Sequence, residues 1–260
     1  MFSLTTLASG SAGNCALVET EKCRVLIDGG LSTRQIALRL AQVGVELAQL
    51  DGILITHEHS DHIAGLEVLC KRHQLPIYAN ALTAEALGAR EGAKRDWRIF
   101  QSGAAFTIGD LEVQTFSIPH DAVDPVGFVL NHAGVSLGFA TDLGFATRLV
   151  MERLRNVHTL VIETNHDEKM LREDQRRPWS LKQRIMSRHG HLSNEAAARI
   201  LRDLLHDGMR RVVLGHLSRD CNSPELATGT ITGALVEAGA SHVDVFCASQ
   251  VECSPRFSLI

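Results

Sequence analysis

The chain has 260 residues, 45% of them hydrophobic, with a formal net charge of −4, enough apolar material to bury one large core in a single domain, residues 1–260. No basic-then-apolar signal segment opens it and no apolar run approaches the ~20 residues that span a bilayer, which argues against secreted and membrane-spanning classes. Cysteines at 15, 23, 70, 221, 247 and 253 form no C-x-x-C pair, so neither a zinc ribbon nor a thioredoxin-like motif is indicated and a reducing cytoplasm is expected. Along the chain, Phe2 to Leu7, Cys15 to Glu19 and Arg24 to Asp28 read as strands divided by Gly and Ser turns, and Thr33 to Val43 as an amphipathic helix capped by Ser32. Ile53 to Thr56 and Ile77 to Asn80 read as short strands flanking a helix from Ile63 to Arg72. Leu111 to Ile118, Phe128 to Asn131 and Val135 to Thr141 follow as strands, the last two a hairpin turned by Asn131-His132-Ala133-Gly134. Strands at Thr159 to Glu163, Arg211 to Gly215 and Val243 to Cys247 come after helices at Leu149 to Arg155, Asn194 to His206 and Pro224 to Ala238. Two similar β-then-α halves predict an α/β fold, a four-layer αβ/βα sandwich, with one weakly structured stretch near Arg176-Arg177-Pro178.

The densest chemistry lies in Thr56-His57-Glu58-His59-Ser60-Asp61-His62, directly after the apolar Ile53-Leu54-Ile55. Residues two apart in an extended or tightly turning segment point the same way, so His57 and His59 can share one cation, leaving Asp61 and His62 for a second. Imidazole beside carboxylate suits zinc and tolerates manganese or iron, whereas magnesium would prefer oxygen alone.

This H-x-H-x-D-H run, with Asp28-Gly29-Gly30 before it and Ile118-Pro119-His120-Asp121, Ala140-Thr141-Asp142-Leu143-Gly144 and Leu214-Gly215-His216-Leu217-Ser218 after it, resembles the metallo-β-lactamase fold superfamily. Ser9-Gly10-Ser11-Ala12-Gly13-Asn14, Glu163-Thr164-Asn165-His166-Asp167 and Gly190-His191-Leu192-Ser193-Asn194 narrow the resemblance to the WalJ (YycJ) branch, whose members are similar to 5′→3′ DNA exonucleases. The resemblance implies the metallo-β-lactamase sandwich and two divalent ions, one held by His57, His59 and His120 and the other by Asp61, His62 and His216, with Asp142 between them. An anion between two dications lowers their repulsion, and the pair acidifies a shared water toward ~7. Asp28 or Glu58 is expected to orient a ligand from behind.

Between Lys169 and His191 there are seven basic and two acidic side chains, 7 − 2 = +5, which leaves −9 on the rest of the chain. A basic insert at about 166–191 on an acidic body can hold phosphates locally. Lys182, Arg184 and Arg188 are therefore expected on the backbone of a DNA substrate, single- or double-stranded and approached from its 5′ end. His166 and His191 each precede helix-start chemistry, where free backbone N–H groups can bind a phosphate; with Ser193 they are expected at the substrate end, His191 also as a proton donor beside Asp61. Ser11 and Asn14, in the Ser9 to Asn14 turn, are further phosphate donors, and Trp179 is placed to stack on an unpaired base. A small-molecule phosphodiesterase acting on cyclic or modified nucleotides and a glyoxalase II-like thioester hydrolase remain open readings, as do the native metal and the oligomeric state.

Overall fold

The computed structural model describes residues 1–91 and 95–260. The chain opens as an antiparallel meander, β1 (Phe2–Ala8), β2 (Cys15–Thr20) and β3 (Arg24–Ile27). After the helix α1 (Thr33–Gln42), whose Ser32 side chain accepts from Gln35 N, β4 (Gly52–Leu54) joins β3 in parallel. Next come α2 (Ser60–Ile63), α3 (Leu66–His73), β5 (Ile77–Asn80), α4 (Ala81–Glu91) and β6 (Trp97–Phe100), with β5 and β6 continuing the parallel run.

The second half repeats the plan. β7 (Ala105–Ile108), β8 (Leu111–Ser117), β9 (Val126–His132) and β10 (Val135–Ala140) are antiparallel. Ala133 and Gly134, at φ 49° and 80°, make the two-residue turn with both φ positive whose twist matches a hairpin. Then α5 (Arg148–Leu154) leads to β11 (Thr159–Glu163), parallel to β10. Two short helices, α6 (Glu168–Glu173) and α7 (Trp179–Ile185), precede α8 (Asn194–Leu204), which leads to β12 (Arg211–Gly215); α9 (Pro224–Glu237) leads to β13 (Asp244–Cys247). The final β14 (Phe257–Ser258) returns to pair with β1. The sheets run β14-β1-β2-β3-β4-β5-β6 and β13-β12-β11-β10-β9-β8-β7.

Period-two alternation makes the four layers. In β11, Val161 joins the cluster between the sheets while Leu160 and Ile162 join the cluster under α5, α8 and α9; Val213 divides from Val212 and Leu214 in the same way. In β3, Val25 and Ile27 face the other sheet and Leu26 faces Ile36 and Leu40 of α1. Both faces of these central strands are buried, so they read as continuous apolar runs. At ~1.5–3 kcal/mol for each buried Leu, Ile or Val, three such clusters outweigh any surface ion pair as the source of stability.

Several elements depart from the sequence expectation. The helix expected from Ile63 to Arg72 is two pieces, because at Gly65 a Cβ would lie 2.2 Å from the Leu31 carbonyl and the chain turns there. The strand expected to run to Thr56 ends at Leu54, since Thr56 N donates to Asp28 Oδ1. The stretch near Arg176-Arg177-Pro178 is tied down: Arg177 bridges Asp174 and Asp220 at 2.6 and 3.0 Å, and Pro178 is the N-cap of α7. No helix among the described residues is long and apolar enough to cross a membrane, and all six cysteines are unpaired.

Candidate metal centre

The parallel strands of both sheets end at one edge, where an open α/β layer structure places its ligands. Three residues just beyond strand ends there, Asp28, Asp142 and His216, have φ of 60°, 56° and 56°. Left-handed backbone at a residue other than glycine costs of order 1–3 kcal/mol, and all three turn their side chains toward one cluster. Gly30 allows the close approach behind it: its Cβ would fall 1.6 Å from the Asp61 carbonyl.

The cluster gathers the seven positions expected from the sequence. His57, His59 and His120 bring ring nitrogens within 4.8 Å of one another; so do the donor atoms of Asp61, His62 and His216, and those of His57, His62 and Asp142. His62 Nε2 lies 3.1 Å from Asp142 Oδ2 and 3.5 Å from Asp61 Oδ2; His216 Nε2 lies 3.2 Å from Asp61 Oδ2 and 3.5 Å from Asp142 Oδ1. Asp142 thus sits between the two groups.

Outward partners fix these rings. His62 Nδ1 donates to Asp28 Oδ2 at 2.7 Å, His120 Nδ1 to the Gly190 carbonyl at 3.2 Å, and His216 Nδ1 to Glu163 Oε1 at 2.8 Å. Each ring with its Nδ1 proton spent outward turns the Nε2 lone pair inward, the tautomer a metal requires. His57 Nε2 is buried and has no hydrogen-bond partner among the described residues. A buried imidazole nitrogen left unmatched in a nest of carboxylates and inward lone pairs fits a divalent cation. Of the two residues expected to work from behind, Asp28 contacts His62, whereas Glu58 Oε1 accepts from Val123 N.

The electrostatics fit the same donor set. Burial, then the neighbouring rings, push the His57 pKa well below its ordinary value. Burial works against the charged form of His216 too, but the Asp142, Asp61 and Glu163 carboxylates prevail and lift it to about 10. His62 is likewise lifted, against burial, by Asp142 and Asp28. Burial opposes charge on Asp142, yet His216 and His62 hold its pKa well below the usual carboxylate range. On His62 and His216 a bound cation would take the place of the proton's charge, while His57 is already neutral.

Glu163, part of the Glu163 to Asp167 motif but not among the expected site residues, supports the cluster from behind. Fully buried at the end of β11, it has Oε1 2.8 Å from both His216 Nδ1 and His191 Nδ1, while Oε2 accepts from Leu143 N and Leu192 N. The available signal was a carboxylate closing an apolar parallel strand. His191, expected at a phosphate-binding helix start, is instead held beside the cluster, its ring 5.2 Å from those of His120 and His216. It lines a cleft of about 220 Å³ with Ser11, His59, Asp61, His120, Asp142 and His216, under Leu181, Arg184 and Ile185 of α7.

The expected substrate contacts divide. Ser11 and Arg184 line the cleft, with Arg184 Nε 2.5 Å from Asp121 Oδ2. Arg188 lies 4.0 Å over the Phe145 ring. Lys182 is a correction: it is buried, and its Nζ donates to the Arg172 carbonyl at 2.7 Å, because α7 packs that side of the insert inward. Asn14 and Ser193 are also corrected. Asn14 Nδ2 reaches Asp61 Oδ2 and His62 Nε2 at 3.3 and 3.2 Å, which positions the cluster, and Ser193 is the N-cap of α8, accepting from Ala196 N. His166 is buried beside Ser193, and burial lowers its pKa to about 4. Trp179 is exposed on the first turn of α7. The local +5 is largely neutralised, since Arg172, Arg176, Arg177 and Arg184 all meet carboxylates.

Known proteins resemble this chain in both sequence and fold. A family model described as a β-lactamase superfamily domain matches residues 23–217. The chain is 39% identical over 237 residues to Exodeoxyribonuclease YycJ of Bacillus anthracis, covering 90% of this chain and 89% of that one. It is 38% identical over 243 residues to Exodeoxyribonuclease WalJ of Streptococcus pneumoniae, covering 91% and 89%. Among solved structures, the metallo-β-lactamase fold protein YhfI from Bacillus subtilis superposes with a TM-score of 0.74 at 17% identity, over 98% of this chain and 99% of that one. The chain belongs to the metallo-β-lactamase fold superfamily and, within it, to the group that includes YycJ and WalJ.

Proposed function

We propose that this protein is a metal-dependent hydrolase of phosphodiester bonds, a 5′→3′ exonuclease acting on DNA. The observation that carries the reading is identity of 38–39% over about nine-tenths of the chain to two exodeoxyribonucleases, with a full set of inward-facing donors at the candidate metal centre. In this reading His57, His59 and His120 would hold one divalent ion and Asp61, His62 and His216 a second, zinc or manganese, with iron also suited, and Asp142 lies beside both sets of donors. When bound, the ions supply a water nucleophile acidified toward neutral pH and offset the charge that gathers on the phosphoryl oxygens. Asp61, 23% exposed, presents a carboxylate oxygen to the cleft and would accept a hydrogen bond from a water bound there. His191 faces the same cleft with Nδ1 donating to Glu163, so a proton on Nε2 stands ready for the departing oxygen. Ser11 and Arg184 meet the phosphate backbone at the rim.

A digestion series tests this. Metal-loaded protein is given single- and double-stranded DNA and RNA, with and without a 5′ phosphate, and a cyclic-phosphate ester. Stepwise loss from DNA 5′ ends is the expected result. Hydrolysis of the small ester with DNA and RNA left intact would replace the nuclease reading with the phosphodiesterase one.

A further inference from the structure

β6 ends the first sheet, with β5 as its one neighbour there. The parallel register sets Ile77 beside Trp97 and Ala79 beside Ile99, and Ile77 N donates to the Asp96 carbonyl. Residues 96, 98 and 100 therefore turn their backbone groups toward β5, whereas Trp97 and Ile99 turn theirs outward. Trp97 N folds back to the Arg95 carbonyl at 3.1 Å, but the Trp97 carbonyl and both backbone groups of Ile99 have no hydrogen-bond partner among the described residues. Folded proteins blunt such an edge with lysine, proline or a bulge. β6 has none of these, and Ile99 stands on it 54% exposed. Beside the edge, a groove of about 500 Å³ lined by Tyr78, Phe100 and Phe106 runs between β6 and β7 and continues the apolar surface.

The charges along this edge complement a second copy of themselves. Asp96 and Arg98, two apart, share one face of the strand; Arg98 Nε and Nη2 each lie 3.1 Å from an Asp96 oxygen, and both side chains are exposed. We infer that β6 is the interface between two copies of this chain, paired antiparallel about a twofold axis at Trp97 so that their first sheets become one. Trp97 then faces its own copy as a hydrogen-bonded pair, exchanging the contact with Arg95 for a cross-strand bond. Next to it, Asp96 of each copy faces Arg98 of the other in the closer, non-hydrogen-bonded pair, where opposite charges attract. Each carboxylate thus meets two guanidinium groups, and no like charges stand opposite each other. An axis at Arg98 would instead set two guanidinium groups face to face, so the charges select the register as well as the partner. Antiparallel pairing also reverses the second copy. Its metal cluster, beyond the ends of its parallel strands, lies at the opposite end of the joined sheet, and both clefts stay open. The inference is independent of which bond the site hydrolyses.

The test measures the mass of the full chain in solution by sedimentation across the micromolar range, for wild type and for Asp96→Arg, Arg98→Asp and Ile99→Pro. Wild type is expected to be a dimer. Each charge reversal places like charges opposite each other and weakens the dimer by about tenfold or more. Mixing the two charge-reversed proteins restores association as a heterodimer, because each edge of one sign then meets its opposite, and a rescue of that kind excludes misfolding as the cause of the loss. Ile99→Pro removes an outward N–H that β5 does not use, a change an outer strand tolerates, and is expected to give monomer with metal content and thermal midpoint near those of dissociated wild type. A wild-type chain that stays monomeric, a dimer that survives all three substitutions, or charge-reversed proteins that fail to associate on mixing would each overturn the pairing.

Discussion

Glu163 Oε1 lies 2.8 Å from His191 Nδ1, inside hydrogen-bond distance and wholly buried. The same oxygen is equally close to His216 Nδ1, so one carboxylate orients a proposed metal ligand and the proposed proton donor together. Replacing Glu163 with Gln keeps the volume and one acceptor but removes the charge. Kcat on a chromogenic phosphodiester is expected to fall about 10–100-fold, with weaker metal retention under dialysis. Unchanged turnover with full metal content would show that Glu163 merely fills the core.

Asp28 holds His62 from the other side of the cluster, and its φ of 60° is one that Asn tolerates. Asp28→Asn therefore separates the backbone requirement from the charge. The variant should fold with a thermal midpoint near that of wild type but lose metal affinity by about 10–100-fold. A variant that keeps its metal but melts far below wild type would make Asp28 a turn residue, not an orienting one.

Much of this was legible in the sequence, for identifiable reasons. Val161, Val213 and Leu26 sit in central strands whose apolar runs no solvent face interrupts, and the His57 to His62 run concentrates its donors within six residues. Elements at the sheet edges were not legible: β6, Trp97–Phe100, and β7, Ala105–Ile108, are short and half-exposed, with no clean alternation to read. The insert misled in a different way. Counting charge between Lys169 and His191 misses Asp220 and Asp121, which lie outside that window and neutralise Arg176, Arg177 and Arg184 across the fold. Glu163 escaped because its partners stand 28 and 53 positions further along.

The raised pKa of His216, about 10 against an ordinary 6.5, ties metal binding to pH. Without metal, the protonated ring stabilises the fold fully below about 6.5, and that contribution is lost as pH rises through about 10. A divalent ion needs the neutral ring and must displace the proton, so its apparent affinity rises over the same window. The gap in thermal midpoint between metal-loaded and chelator-treated protein is therefore expected to widen from about pH 6 to about pH 9. A gap that stays constant or narrows would mean that His216 is not titrating against metal.

Arg184 supplies the last expectation. Its guanidinium is 61% exposed at the mouth of the cleft, and its partner Asp121 has Oδ1 3.4 Å from His120 Nε2. An exposed ion pair of this kind contributes ~0–1 kcal/mol to stability, so removing it should leave the thermal midpoint nearly unchanged. The effect belongs to binding. A single phosphate contact contributes about −0.7 to the slope of log affinity against log salt for single strands. Arg184→Ala is expected to raise the KM for DNA at low salt and to flatten that slope by about one contact, whereas Arg184→Lys keeps the slope because it keeps the charge. Parallel salt profiles for wild type and Arg184→Ala would take Arg184 out of the DNA path and leave it as a clamp between α7 and the loop that carries His120.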